Sequence, residues 1–131
     1  MSAEMGALIL FTDRLDEMTA FYRALGVPLE AETHEGGSVH LACDLGSVHF
    51  AVLAGSTGNA PPFRSGGGAM PGFAVPSLGV AWDRVRGLGA RIVEEPTEYP
   101  WGPRFLVMDP DGRTVEVFER RGSERPAELK R

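Results

Sequence analysis

Residues 7–26 read ALILFTDRLDEMTAFYRALG, and the pattern of this segment occurs twice in the chain. Residues 7–11 form a short apolar run, which is typical of a β-strand. Apolar side chains then recur at helical spacing over residues 15–25, which predicts one amphipathic helix. Asp13 is predicted to cap the start of that helix, and Gly26 to end it in a left-handed turn.

The pattern returns 63 residues later, where residues 70–89 repeat a strand, a helix and a terminal glycine. Ser77 is predicted to cap this second helix, and Gly89 to end it as Gly26 ends the first. Three strand-like runs follow each helix, at 29–34, 38–43 and 47–53 in the first half and at 91–94, 104–108 and 114–119 in the second. The sequence therefore predicts an α+β fold made of two β-α-β-β-β modules.

The length and composition indicate one globular domain. The chain has 131 residues, of which 43% are hydrophobic and 24% charged, so it can bury a core of its own. We expect module one at 6–53, a linker rich in Gly, Pro and Ser at 54–69, module two at 70–119 and a charged tail at 120–131. The lone Cys43 excludes an intramolecular disulfide and a cysteine-rich zinc site.

Charge and hydropathy limit the partners of this chain. Thirteen basic against eighteen acidic residues give a net charge of −5, which argues against a nucleic-acid duplex. No run of about 18 apolar residues is present, so no membrane span is expected. The first residues also lack the layout of a signal peptide. We therefore expect a cytoplasmic protein that binds a small molecule and neither nucleic acid nor membrane.

Two local motifs point to a family. The first helix ends in FYRALG at 21–26, and the sequence Asp-Pro-Asp-Gly at 109–112 forms a hairpin signal before Val-Glu-Val at 115–117. With the repeated module, this pattern resembles the vicinal oxygen chelate superfamily over residues 6–119. That superfamily contains glyoxalase I, extradiol dioxygenases, fosfomycin-resistance enzymes and bleomycin-binding resistance proteins. The resemblance implies that each module is a curved, mixed four-stranded sheet with one packed helix, and that the modules form a cup.

We call the side of each sheet opposite its helix the cup face. Because side chains alternate along a strand, Phe50 and Val52 are predicted to face the helix, whereas His49 and Ala51 face the cup. The same count across the other strands gives the predicted ligand-binding residues apart from Trp101, which is included because it stands at the mouth of the predicted strand at 104–108. These are Phe11, His40, His49, Ala51, Met70, Trp101, Arg104, Leu106, Met108, Glu116 and Phe118.

The resemblance also implies where a metal would bind. Metal-dependent members place one ligand on each of four strands, and those positions carry over to Ala7, His49, Met70 and Glu116. Ala7 has no donor atom, and the Met70 thioether is a poor ligand for a hard divalent ion. We therefore expect no metal and no cofactor. If a metal is present, His49 and Glu116 are its candidate ligands, with His40 as a candidate third.

Two residues near the expected pocket have alternative roles. Glu116 either serves a ligand or forms a structural ion pair with Arg104 or Arg113, because an unpaired buried carboxylate is costly. Trp101 belongs to a Trp-Gly-x-Arg segment that resembles the drug-binding branch of the superfamily, where aromatic faces stack on planar drugs. The alternative is that Trp101 packs at the end of a strand. Trp82, on the second helix, is expected to pack in the core.

Three classes of function remain open. The first, and the one we favour, is a metal-free protein that sequesters a planar or aromatic compound such as an antibiotic. The second is a metal-dependent lyase, isomerase or dioxygenase with an atypical ligand set. The third comprises accessory domains without a small ligand and metal-free enzymes that use His49 and Glu116 as acid and base. Because each module leaves sheet edge and apolar surface to cover, we also expect a homodimer.

Overall fold

The computed structural model describes residues 2–33, 39–55 and 69–120. The elements in chain order are β1 (Ala7–Thr12), α1 (Leu15–Ala24), β2 (Glu30–Thr33), β3 (Val39–Leu45), β4 (Val48–Ala54), β5 (Gly72–Ala74), α2 (Leu78–Gly87), β6 (Ile92–Tyr99), β7 (Gly102–Met108) and β8 (Thr114–Phe118). Most of the predicted linker at 54–69 and of the predicted tail at 120–131 lies outside the described residues. Those two assignments stay predictions.

The strands form two sheets of the same topology. The first has the order β1-β4-β3-β2 and the second the order β5-β8-β7-β6. In each sheet the first and last strands of the module pair in parallel, and the other neighbours pair antiparallel. The predicted α+β fold of two β-α-β-β-β modules is therefore confirmed. Neither described helix is long and apolar enough to cross a membrane.

Three of the four residues that were predicted to mark the ends of the helices do so in the structure. Ser77 caps α2, since its hydroxyl accepts a hydrogen bond from the Val80 N–H at 3.3 Å. Gly26 and Gly89 end the helices with φ angles of 96° and 72°, in the left-handed region that favours glycine. The prediction for Asp13 is wrong. The residue before α1 is Arg14, which has no side-chain cap.

The turn into α1 explains why Asp13 does not cap the helix. The N–H of Arg14 donates to the Thr12 hydroxyl at 2.9 Å, so this hydroxyl fixes the chain between β1 and α1. The cap position of α1 is therefore Arg14, one residue later than the predicted cap at Asp13. Asp16 and Glu17 still supply negative charge to the first turn of α1, where the helix dipole favours it.

One hydrophobic core joins the two modules. The helix-facing side chains of the central strands, Phe50, Val52, Val115 and Val117, are at most 1% exposed. They belong to a single cluster that also contains residues of α1 and α2. The alternation predicted for these strands is thus confirmed. Their opposite sides form the cup face of each sheet.

The longest strand, β6, differs most from the prediction. The sequence predicted a strand at 91–94, whereas β6 runs from Ile92 to Tyr99 and contains Pro96. Proline lacks the N–H that a central strand needs, but β6 is an edge strand with one unpaired side. The pairing with β7 shifts register between Ile92 and Glu94 and again between Glu94 and Thr97. These irregularities keep the strand in the sheet despite the proline.

The turn between β7 and β8 is the hairpin that the sequence predicted at 109–112. The Asp109 carboxylate accepts hydrogen bonds from the N–H groups of Asp111 and Arg113 at 2.9 and 3.0 Å. Gly112 has a φ of 90°, as this turn requires. The Arg113 guanidinium reaches back to module one and donates to the Phe11 carbonyl at 3.5 Å. The turn therefore also contacts β1.

Candidate functional site

The cup face contains most of the residues predicted to bind a ligand, at different depths. The structure buries His40, Ala51, Trp101, Glu116 and Phe118, leaves Phe11, His49, Arg104, Leu106 and Met108 half-buried, and exposes Met70. Buried polar groups on such a face need partners, because an unpaired charge away from water is costly. The partners of Glu116 therefore indicate what this face can do.

Glu116 is paired with Arg104 at the centre of the cup face of module two. The Arg104 Nη1 lies 3.2 Å from Glu116 Oε2, and its Nε lies 3.0 Å from Glu94 Oε1. Tyr99 completes the group: its hydroxyl donates to Glu94 Oε2 at 2.9 Å and accepts from Arg104 Nη2 at 3.4 Å. The ion pair that the sequence offered as the alternative role of Glu116 is present, with Arg104 as the partner. Arg113 instead pairs with carboxylates of its own turn.

These contacts hold the group in its charged form. Partial burial alone would lower the pKa of the Arg104 guanidinium, but the hydrogen bonds that it donates to Glu94, Glu116 and Tyr99 outweigh burial and raise it. The hydrogen bond from Arg104 lowers the pKa of Glu94, and the bond from Tyr99 adds to that effect. Arg104 and Glu94 are therefore both ionised at neutral pH, and the guanidinium is fixed in place.

Trp101 packs at the start of β7 and is only 8% exposed. Its ring stacks on the Tyr99 ring, with centroids 5.4 Å apart and planes 7° from parallel. It also meets the Phe118 ring edge to face at 6.0 Å. The structure thus gives Trp101 the strand-end packing that the sequence held as its alternative role. One of its two flat faces is already covered by Tyr99.

The two described histidines are each paired within module one. His49 Nδ1 lies 2.9 Å from Asp44 Oδ1, and His40 Nε2 lies 3.2 Å from Glu32 Oε1. Neither contact involves Glu116, which is bound by Arg104 in module two. The three candidate metal ligands thus have three separate partners: Glu32 for His40, Asp44 for His49 and Arg104 for Glu116.

The strand register shows which cup-face positions of the two modules correspond. By the 63-residue repeat, Phe73 corresponds to Leu10, and their parallel partners are Val117 and Val52. The residues just before these partners are Glu116 in module two and Ala51 in module one. Glu116 therefore has an alanine, and not His49, as its counterpart.

The strand register also shows which residue of β5 lies opposite Glu116. Glu116 lies opposite Gly72 in the parallel pair, and not opposite Met70. The matching pair in module one is Ile9 and Ala51. The resemblance placed the candidate ligand position of this strand at Met70, two residues before Gly72, because the repeat alone does not fix the register between β5 and β8.

Two cavities lie beside the sheets in the described part of the chain. One, of about 760 Å³, opens along the β1 and β5 edges and is lined by Met5, Leu8, Val48, Met70, Gly72 and Arg120 among others. The other, of about 390 Å³, lies between α1, the turn after α2 and the turn at 109–112, and Met108 lines it. Neither Arg104 nor Glu116 lines these two cavities, and Glu116 is buried beside the partly exposed Arg104.

A sequence model of the Glyoxalase/Bleomycin resistance protein/Dioxygenase superfamily matches residues 4–117, which is most of the chain. The chain belongs to this superfamily. The match covers both modules and confirms the resemblance that the FYRALG and Asp-Pro-Asp-Gly motifs indicated. No curated protein matches the chain.

Solved structures of superfamily proteins are similar in fold. A glyoxalase/bleomycin resistance protein/dioxygenase from Nocardioides is 22% identical, covers 97% of this chain and 89% of its own, and has a TM-score of 0.64. TioX from Micromonospora sp. ML1 is 22% identical over 91% of this chain and 100% of its own, with a TM-score of 0.65. TnmS3, an antibiotic binding protein from Streptomyces sp. CB03234, is 15% identical over 92% and 98%, with a TM-score of 0.63.

The resemblance implies a metal ligand at Glu116 and at the three positions that correspond to it in the strand register. The four corresponding positions by strand register are Ile9, Ala51, Gly72 and Glu116, of which only Glu116 has a donor side chain. A Cβ at Gly72 would lie 2.9 Å from Glu116 Oε1, so the Glu116 carboxylate occupies the space that a ligand at 72 would need. Over residues 2–33, 39–55 and 69–120, no three His, Cys, Asp or Glu side chains cluster as a metal site.

Glu94 and Tyr99 are the site residues that the sequence analysis missed. The prediction ended the strand at residue 94, so neither side chain was placed relative to the cup face. The aromatic pair of Tyr99 and Trp101, two residues apart around Pro100, was the available signal. Two register shifts in β6 set the final position of Glu94 beside Arg104, and local pattern does not show such shifts.

Proposed function

We propose that this superfamily member is a metal-free protein that binds a planar or aromatic small molecule on its cup face. The observation that carries the proposal is the pairing of Glu116 with Arg104. The single donor among the four register-equivalent positions is already satisfied by a guanidinium, at 3.2 Å. This pairing supports a polar binding group at the site, and the described residues offer no converging set of three donors of the kind that a metal centre uses.

The surroundings of this pair suit an aromatic ligand. Leu106 lies directly opposite Glu116 on the neighbouring strand and is half-buried, so it adds an apolar surface beside a polar one. Tyr99 and Trp101 form a stacked pair at the same end of the sheet. Small-molecule sites commonly combine apolar walls with a few fixed polar groups. The similarly folded TnmS3 is an antibiotic binding protein, and we extend that class of ligand to this chain.

We further propose that two copies of the chain pair and close the cup. Ile9 on β1 is 46% exposed, and Met70, next to β5, is 52% exposed. Both strands are edges of their sheets, and exposed apolar edges favour association. The opposite edges carry glutamates, such as Glu30 on β2 and Glu95 on β6, which oppose pairing there. Light scattering at micromolar concentration tests this arrangement: a dimer mass is expected, and a monomer mass contradicts it.

A thermal-shift screen of aromatic natural products in metal-depleted buffer tests the binding function. A ligand present at 100 times its Kd adds about 2.7 kcal/mol to stability, which raises the melting temperature by several degrees. The same screen on Leu106→Gln should lose those shifts, because the substitution places an amide in the apolar wall. Val80→Gln, at an exposed position on α2, is the matched control and should keep them. Equal shifts in both variants would place the ligand elsewhere.

A further inference from the structure

The larger of the two cavities lies away from the Arg104–Glu116 pair. Its volume of about 760 Å³ falls within the range of small-molecule sites. Leu8, Phe50 and Phe73 line it, and these side chains belong to the hydrophobic core or pack against it. The cavity therefore borders the core on the helix side of the sheets. Neither Arg104 nor Glu116 lines it, so it is separate from the polar pair on the cup face.

The walls of this cavity suit a flexible aliphatic chain. Apart from two glycines and one arginine, every described lining residue is apolar. The two aromatic rings, Phe50 and Phe73, already meet each other edge to face, with centroids 5.6 Å apart. Met5 and Met70 are 61% and 52% exposed, and unbranched methionine side chains adapt to irregular shapes. These walls therefore favour a flexible chain over a rigid planar ring.

A single cation stands beside these apolar walls. Arg120 is the one charged side chain among the described lining residues, and it is exposed. Its Cζ lies 5.8 Å from the centroid of the Phe118 ring. Within residues 2–33, 39–55 and 69–120, no carboxylate pairs with Arg120. Its N–H groups are therefore available to a carboxylate, whose geometry matches the planar fork of a guanidinium.

We propose that this cavity binds a single-chain aliphatic carboxylate, with the chain against the apolar walls and the carboxylate on Arg120. The inference goes beyond the proposed function, because it adds a second class of ligand at a site without the cup-face pair. Arg120 recognises the head group, and the apolar walls recognise the length of the chain. A second copy of the protein is the competing occupant, since it would also cover Met5 and Met70.

Titration calorimetry of the full chain with octanoate and decanoate tests the recognition of the aliphatic chain. Each buried methylene group tightens the Kd about fourfold, so decanoate should bind roughly fifteenfold more tightly than octanoate. Absence of decanoate binding would overturn the inference. Equal Kd values for the two carboxylates would also overturn it, because the chain would then lie outside the cavity.

Substitution of Arg120 tests the recognition of the head group. Arg120→Gln should raise the Kd of decanoate about fivefold, the effect of one exposed ion pair, and leave that of uncharged 1-decanol unchanged. Arg84→Gln is the matched control, because it removes an equal charge from an exposed position on α2 that lines neither cavity. It should leave both Kd values unchanged. Equal effects of the two substitutions on decanoate would contradict the role of Arg120.

Two further measurements separate this cavity from the cup face and from a dimer interface. Leu106→Gln alters the cup face alone, so it should leave the Kd of decanoate unchanged. A loss of decanoate binding in that variant would place the aliphatic chain on the cup face and contradict a separate site. The Kd should also be independent of protein concentration. A Kd that rises with protein concentration would assign the cavity to a second copy of the chain and overturn the inference.

Discussion

Tyr22 in α1 donates a hydrogen bond from its hydroxyl to Asp109 Oδ2 at 2.7 Å, across 87 positions of sequence. The Asp109 carboxylate also accepts from Arg113, which in turn binds the Phe11 carbonyl at the end of β1. Tyr22 and Asp109 are both buried. This bond therefore links the helix of module one to the last hairpin of module two within the same chain.

Removal of the Tyr22 hydroxyl should destabilise the chain. Tyr22→Phe leaves Asp109 without one of its buried partners, which costs about 1–3 kcal/mol of unfolding free energy. Urea denaturation followed by circular dichroism measures this loss. Tyr99→Phe is the matched control and should cost less, because its hydroxyl bonds to the half-buried Glu94. Equal losses of unfolding free energy in the two variants would contradict a larger contribution from the buried Tyr22–Asp109 hydrogen bond.

Alkaline pH should destabilise the fold through the same residue. Burial raises the pKa of Tyr22 well above its ordinary value, and the nearby negative charge of Asp109 raises it further. The unfolded chain releases this proton above pH ~10, whereas the folded chain keeps it, so unfolding becomes easier as the pH rises. Between pH 10 and 11 the unfolding free energy of the wild-type chain should fall more steeply than that of Tyr22→Phe. Parallel pH profiles would contradict a raised pKa.

Trp101 should matter for both stability and binding. Because it is nearly buried against Tyr99 and Phe118, Trp101→Ala should lower the unfolding free energy by about 3 kcal/mol. It should also weaken binding of a ligand found in the thermal-shift screen by roughly 1–3 kcal/mol, since it removes the support of the Tyr99 ring beside Arg104. Trp82→Ala, which removes a half-buried ring packed against Phe105, should affect stability only. Unchanged affinity in Trp101→Ala would place the ligand away from the stack.

The sequence pattern predicted the fold more completely than the site. Gly26, Gly89 and Ser77 mark helix boundaries through local backbone and capping preferences, and such preferences are readable in a short window. The pairing of Arg104 with Glu116 could also be predicted, because strand alternation places both side chains on one face of the sheet. The contact of Arg104 with Glu94 could not be predicted, since it depends on register shifts in β6 that arise from tertiary pairing. Strand register likewise decided that Gly72, and not Met70, lies opposite Glu116.

Two glycines should respond oppositely to alanine. A Cβ at Gly79 on α2 meets nothing within 4 Å, so Gly79→Ala should raise stability by about 0.5–1 kcal/mol. A Cβ at Gly72 would meet Glu116 Oε1 at 2.9 Å, and Glu116 is buried and tied to Arg104. Gly72→Ala should therefore displace the carboxylate, with no gain in stability and weaker binding of a ligand found in the thermal-shift screen. Thermal melts and titrations of both variants check this, and stabilisation by Gly72→Ala would contradict the contact.

The proposed function requires that Arg104, and not a metal ion, is the partner of Glu116 at the cup face. Its most direct test is elemental analysis of the full chain, purified without chelator and after growth with added zinc, manganese, iron and nickel. Because only Glu116 among the four register-equivalent positions has a donor side chain, we expect far less than one metal ion per chain. Measurement of about one bound ion per chain, lost together with ligand binding in Glu116→Gln, would contradict the claim.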